Sequence, residues 1–161
     1  MARGQWQTYK KSGALQVSFI PFKTGTDGGY KDARSGAVYM EFAPCKDWDN
    51  KVYDWSDAKK IKFSLGIADI QSLLEADKLN NDLNLYHVPG GNTPGAKKPG
   101  KKLTIQLNND SSSKFYQSRL LKIGDEATSS SVMLPLSYGE WLVFIELCKS
   151  SLPQIIGWYG F

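Results

Sequence analysis

Apolar and polar residues alternate along three early segments of the chain, and the alternation predicts strands with one buried face. Leu15, Val17 and Phe19 share a face with Gln16 and Ser18 opposite, and Val38, Met40 and Phe42 alternate with Tyr39 and Glu41. Ile61, Phe63 and Leu65 alternate with Lys60, Lys62 and Ser64, so this third strand turns its lysines away from the core it builds. The period then changes. Ile67, Ile70, Leu73 and Leu74 fall at helical spacing before Asp77, which predicts one short amphipathic helix. Strands resume at 85–88 and at Leu103, Ile105 and Leu107, on either side of a segment rich in Pro, Gly and Lys at 89–102. Asn108, Asn109 and Asp110 read as a turn, and 114–123 and 127–136 as two more strands joined by Gly124 and Asp125. Ser137 and Glu140 form an S-x-x-E capping box ahead of Trp141, Ile145, Cys148 and Leu152, so a second helix is expected over 138–152, with Pro153 breaking or ending it. The apolar segment 155–161 is expected to pack on the core or on a partner.

The order is about four strands, a helix, four strands and a helix, which predicts an α+β fold of two antiparallel sheets, each followed by a helix. A length of 161 residues suits one domain over 1–161. Hydrophobic residues make up 41% and aromatics 12%, enough to fill a core and leave rings for contacts. The net charge of +4 favours polyanions without demanding one. Its distribution says more: 1–34 holds six Lys and Arg against two acids, 35–84 six against nine, and 85–161 eight against five, so the basic excess lies at the flanks. Two cysteines, Cys45 and Cys148, sit among apolar neighbours that suit buried free thiols in a reducing compartment. No signal peptide or membrane span is visible, so the expected setting is soluble. It would be the cytoplasm of a prokaryote or of a virus-infected cell, or an organelle after loss of a transit peptide.

Enzyme readings are thin. The segment 95–101 matches G-x-x-x-x-G-K, but Lys102 stands where a magnesium-holding Ser or Thr belongs, and 103–107 alternates as a strand where that loop needs a helix. His87 is the one histidine and no Cys/His spacing suits zinc. Asp47, Asp49, Asp54 and Asp57 lack the spacing of a calcium loop and read as a turn. No cofactor, metal, membrane or small-molecule substrate is called for.

Binding a polyanion needs cations, and exposed rings add flat faces on which bases can stack. Trp6, Tyr9, Lys10 and Lys11 combine the two before the first strand, and Lys114, Phe115, Tyr116 and Arg119 repeat the combination on a later one. Trp6 and Phe115 are equally compatible with the core, whereas Tyr9, Tyr116 and the lysines belong at the surface. Lys60 and Lys62, with Lys59, present a basic sheet face or a merely solvated one. Lys97, Lys98, Lys101 and Lys102 form an accessory basic loop.

Four segments also resemble the Whirly family of single-stranded DNA-binding proteins. Tyr53-Asp54-Trp55-Ser56 with Phe63-Ser64-Leu65 is similar to its YDWS and FSL segment, Glu41-Phe42-Ala43-Pro44 to its QFAP, and 152–158 followed by Phe161 to its LP-x-x-IGW ending. The basic motif K-G-K-A-A-L is matched in part by Lys10-Lys11-Ser12-Gly13-Ala14-Leu15, where Ser12 replaces the second lysine and Lys11 takes the glycine position. The resemblance implies two four-stranded antiparallel sheets packed roughly perpendicular, with helices that mediate a C4 homotetramer. On that basis Trp141, Ile145, Cys148 and Leu152 become candidates for the oligomer interface. It further implies binding of single-stranded DNA with little sequence preference, in replication, recombination or repair. Alternatives are transcriptional regulation on melted promoter DNA, and RNA binding or annealing by a protein of the same fold.

Overall fold

The structure, a computed structural model, describes residues 4–24, 34–88 and 98–158. In chain order the elements are β1 (Trp6–Lys10), β2 (Gly13–Ile20), β3 (Ala37–Asp47), β4 (Val52–Tyr53), β5 (Ile61–Leu65), α1 (Ile67–Lys78), β6 (Leu83–His87), β7 (Lys101–Leu107), β8 (Arg119–Asp125), β9 (Ser130–Leu136) and α2 (Tyr138–Ile156). All ladders are antiparallel. The first sheet runs β1-β2-β3-β5, with the two-residue β4 appended to the far end of β3, and the second runs β6-β7-β8-β9. The expected pair of four-stranded sheets, each followed by a helix, is therefore present.

Register puts the alternating apolar residues on common faces. Val17, Met40 and Phe63 are aligned across the first sheet, and Leu85, Leu103, Ile123 and Val132 across the second. Both rows are buried in one hydrophobic cluster, which Ile70 and Leu73 of α1 and Trp141, Phe144, Ile145 and Cys148 of α2 complete. Gly13 lets the sheets close at one corner: a Cβ there would lie 2.7 Å from Val132 Cγ1 and 2.8 Å from the Ala43 carbonyl oxygen.

The expected strand at 114–123 begins only at Arg119. Side chains of Asn108, Asp110 and Ser113 accept from backbone N–H groups of Asp110, Ser112 and Phe115, giving 108–118 local turns in place of a ladder. Gln117 closes this loop with φ of 66°. Gly124 and Asp125 belong to β8 itself, and the connection lies at 126–129, where the Asp125 carboxylate accepts from Ala127 N–H. Lys101 and Lys102 belong to β7, not to a basic loop. Helix α2 also runs past Pro153 to Ile156. Proline forfeits one backbone bond near the end, while one further turn buries Ile155 completely. Gly157 then terminates the helix at φ 79°. Ile155 meets the expectation for the apolar ending, Ile156 and Trp158 are exposed, and 159–161 lies outside the described residues. No helix among the described residues is long and apolar enough to cross a membrane.

Candidate nucleic-acid interface

Strand alternation sends neighbours in β1 to opposite sides of the first sheet. Trp6, Thr8 and Lys10 pair with Val17, Leu15 and Gly13 on the side that packs against α2, whereas Gln7 and Tyr9 pair with Gln16 and Ala14 on the outer side. The interleaved Trp6, Tyr9, Lys10 and Lys11 are thereby divided, and only Tyr9 and Lys11 are exposed.

On the α2 side, Lys10 is committed to the fold. Its ammonium lies 2.6 Å from Glu140 Oε1, and the Thr8 hydroxyl donates to the other oxygen of the same carboxylate. Glu140 also accepts from Ser137 N–H at 3.0 Å, and Ser137 Oγ accepts from Glu140 N–H at 3.2 Å, so the capping box and the ion pair share one carboxylate. Burial pushes that carboxyl up, but the hydrogen bonds from Lys10, Thr8 and Ser137 outweigh it and bring the pKa down to about 2. Lys10 borders an open cleft of about 540 Å³ between the 108–118 loop and the start of α2, with Phe115 and Pro135 on its walls. Phe115 is 60% exposed, settling its open placement in favour of the surface, and Lys114 lies 5.0 Å above its ring. Tyr116 is exposed on the same loop.

Arg119 is withdrawn from the set of surface cations, being only 3% exposed. Its guanidinium sits 3.5 Å from Asp77 Oδ1 and 4.9 Å from the Trp141 ring, and also donates to the Gln117 carbonyl. Trp141 Nε1 donates to the same Asp77 oxygen at 2.6 Å. Burial lowers the Arg119 pKa and the Asp77 charge opposes it, so this cation joins α1, β8 and α2. The expected oligomer contacts fare likewise. Trp141, Ile145 and Cys148 lie within the chain's own core, where burial pushes the Cys148 thiol up to about 12, and Leu152 packs against that core. Their spacing of four and seven marks the inward face of α2. Its exposed apolar residues are instead Tyr138, Leu142, Val143, Leu147 and Ile156.

The outer face of the first sheet is polar and internally bonded. Gln7 Nε2 donates to Gln16 Oε1 at 2.6 Å, Gln16 Nε2 to Glu41 Oε2 at 3.0 Å, and Lys60 reaches Glu41 Oε1 at 2.8 Å. That bond to Glu41 raises the Lys60 pKa. Lys62 pairs with Asp57 at 3.4 Å, so the expected basic face is largely neutralised by its own acids. Cys45 is only half-buried, contrary to expectation.

Beyond the hairpin tip at Lys11 and Ser12, Tyr9 borders a second open cleft, of about 710 Å³, with Trp48, Lys51, Val52, Tyr53 and Trp55. Tyr9 and Tyr53 rings lie 5.3 Å apart, and the Tyr53 hydroxyl donates to the Lys10 carbonyl at 3.0 Å. The Lys51 ammonium stands 3.0 Å from the centre of the Trp48 ring. Trp48, Lys51 and Trp55 were not predicted as site residues. Their signal in the sequence is three rings and a lysine within 48–55, a segment that reads as an acidic turn. Asp47 does close that turn by accepting from Asn50, which lowers its pKa, and Asp54 accepts from Ser56.

On the second sheet, Lys102 and Lys122 occupy the outer face with Tyr86, and Lys122 is a further residue that sequence reasoning missed. Among the described residues, Lys11, Lys102 and Lys122 have no anionic partner within ion-pair distance. Lys101 is turned the other way and donates to the Lys62 carbonyl at 3.1 Å. Lys98 is exposed, and Lys97 lies outside the described residues. His87 is held by Asp69 at 3.0 Å and stacks on Phe63 with ring centres 4.3 Å apart.

The model of a family described as Whirly transcription factor matches residues 8–147. The chain is similar to the single-stranded DNA-binding protein WHY1, chloroplastic, of Zea mays, at 27% identity over 97% of this chain and 57% of that protein. The protein of the same name from Arabidopsis thaliana is 28% identical over 95% of this chain and 57% of its own length. The chain thus spans a little over half the length of these curated relatives. The crystal structure of WHY1 from Arabidopsis thaliana superposes with a TM-score of 0.76 at 26% identity, covering all of this chain and 95% of that one. The plant transcriptional regulator PBF-2 shares the fold, with a TM-score of 0.75 at 24% identity over 98% of this chain and 85% of that one.

Proposed function

The chain belongs to the Whirly family, and from that premise we propose that it binds single-stranded DNA with little sequence preference and so protects or organises it during replication, recombination or repair. The observation that carries this reading is the open cleft beside the β1–β2 hairpin, where Tyr9, Trp48, Tyr53 and Trp55 are left outside the core within one concave surface. Stacking on such rings stabilises a bound base by roughly 1–3 kcal/mol and is indifferent to base identity. Phe115 and Tyr116 supply a second exposed aromatic group, and Lys11, Lys102, Lys114 and Lys122 supply charge for phosphates. The relatives' names as single-stranded DNA-binding proteins support the choice of nucleic acid, and their chloroplastic designation favours an organelle over a prokaryotic or viral setting.

The exposed apolar residues Tyr138, Leu142 and Ile156, which share one flank of α2, support self-association, and we assign the homotetramer contact to this flank. A second reading, transcriptional regulation on melted promoter DNA, is favoured by the family's description as transcription factors. Fluorescence anisotropy of a labelled mixed-sequence oligonucleotide tests both. Binding to the single strand, absent for the duplex, equal for homopolymers and weaker at higher salt, is expected for the first reading. A strong preference for one sequence would favour the second, and preference for an RNA strand would replace DNA with RNA.

A further inference from the structure

We propose that the turn between β3 and β4 is a base-exchange site: Lys51 is the resident occupant of the Trp48 ring face, and an incoming nucleobase displaces it. The proposal rests on the single-strand-binding reading above and deepens it by assigning roles to two residues.

The Lys51 ammonium stands 3.0 Å from the Trp48 ring centre, within the layer that a stacked base would occupy. Ring face and base therefore cannot meet while Lys51 is in place. The turn is built to hold that arrangement. Lys51 N–H donates to the Trp48 carbonyl at 3.2 Å, Asn50 is fixed by two hydrogen bonds to Asp47, and Lys51 has φ of 56°, a left-handed conformation that folds the chain back over Trp48. Nothing comparable fixes the ammonium itself. It is exposed, and no carboxylate lies within ion-pair distance among the described residues.

The exchange is favourable on general grounds. A base stacked on an aromatic side chain is held more strongly than an exposed ammonium over the same ring. The displaced ammonium is then next to the phosphates flanking the bound base, where it gains a counter-charge. The contact thus keeps Trp48 covered in the free protein, which limits exposed aromatic surface, and yields it to the ligand. Tyr9, Tyr53 and Trp55 line the remainder of the cleft, and its volume of about 710 Å³ leaves room for a nucleotide unit.

Two variants test the idea, with oligo(dT) as probe and affinity measured by anisotropy across a salt series. Trp48→Leu is expected to weaken binding about tenfold and to remove part of the tryptophan fluorescence quenching that stacked bases should cause in the unaltered chain. Lys51→Gly relaxes the left-handed backbone and empties the ring face. It is expected to lower the slope of log affinity against log salt by about 0.7, while affinity at high salt stays equal to or above that of the unaltered chain. Unaltered affinity and quenching in Trp48→Leu would overturn the proposal while leaving single-strand binding intact. An unchanged salt slope in Lys51→Gly would overturn the part given to Lys51. If the unaltered chain binds no oligo(dT) at all, the functional reading fails, and the inference with it.

Discussion

Tyr9 and Lys10 are adjacent in sequence, yet the clefts they border are built on different principles. On the Lys10 side two cations are spent on the fold: Lys10 on Glu140, and Arg119 on Asp77 and Trp141. These are partly or wholly buried contacts linking strands to helices, so their rearrangement would expose unpaired charge. On the Tyr9 side rings meet rings at the surface, and Lys51, the cation among the described residues that line the cleft, is held by a ring face. The same mixture of lysine and aromatic residues therefore anchors structure in the cleft beside Lys10 and lies open in the cleft beside Tyr9. Exchangeability, more than residue type, separates a binding surface from a scaffold.

The sharpest way to break this contrast is at Arg119. Replacement by Ala leaves the Asp77 carboxylate and the Trp141 ring without their shared partner, and urea unfolding should show a loss of about 3 kcal/mol. A loss below about 0.5 kcal/mol would remove Arg119 from the scaffold. Next comes Glu140. Its carboxyl is held near 2, below the ordinary 4.5, so between those values the unfolded chain binds more protons than the folded one. The stabilisation is fully present above 4.5 and lost as pH falls through about 2. Glu140→Gln keeps the capping geometry without the charge. It should cost about 1–2 kcal/mol at neutral pH, after discounting for partial exposure, and should flatten the acid limb of stability against pH. A variant whose acid limb matched the unaltered chain would place the proton uptake elsewhere.

The smallest effect on folding is expected across the strand. Tyr9→Ala should change unfolding free energy by about 0.5 kcal/mol or less and weaken single-strand binding about fivefold. Lys10→Ala should do the reverse, lowering stability with the salt slope of binding unaltered. If the two variants behaved alike, the division between the faces of β1 would not hold.

Much of the fold was legible because it rests on periodicity. Alternation at 15–19, 38–42 and 61–65, helical spacing at 67–74 and the Ser137–Glu140 box all name local geometry, and tertiary packing reinforces each. The strand expected at 114–123 failed where side chains of Asn108, Asp110 and Ser113 offered the backbone other partners. The helix ran beyond Pro153 because burial of Ile155 outweighs one missing hydrogen bond.

The site was far less legible. The sequence by itself determined which residue types were on offer, their approximate order on strands and helices, and, through four short motifs, the family. Only the tertiary structure decided how each was used. It placed Glu140, 130 residues away, on Lys10, took Arg119 inside, turned Trp141 and Ile145 inward, and gathered Tyr9 with the rings of the β3–β4 turn. The reason is physical. Periodicity reports a residue's orientation relative to its own element, whereas a charge is neutralised or left available by whatever distant segment packs against it.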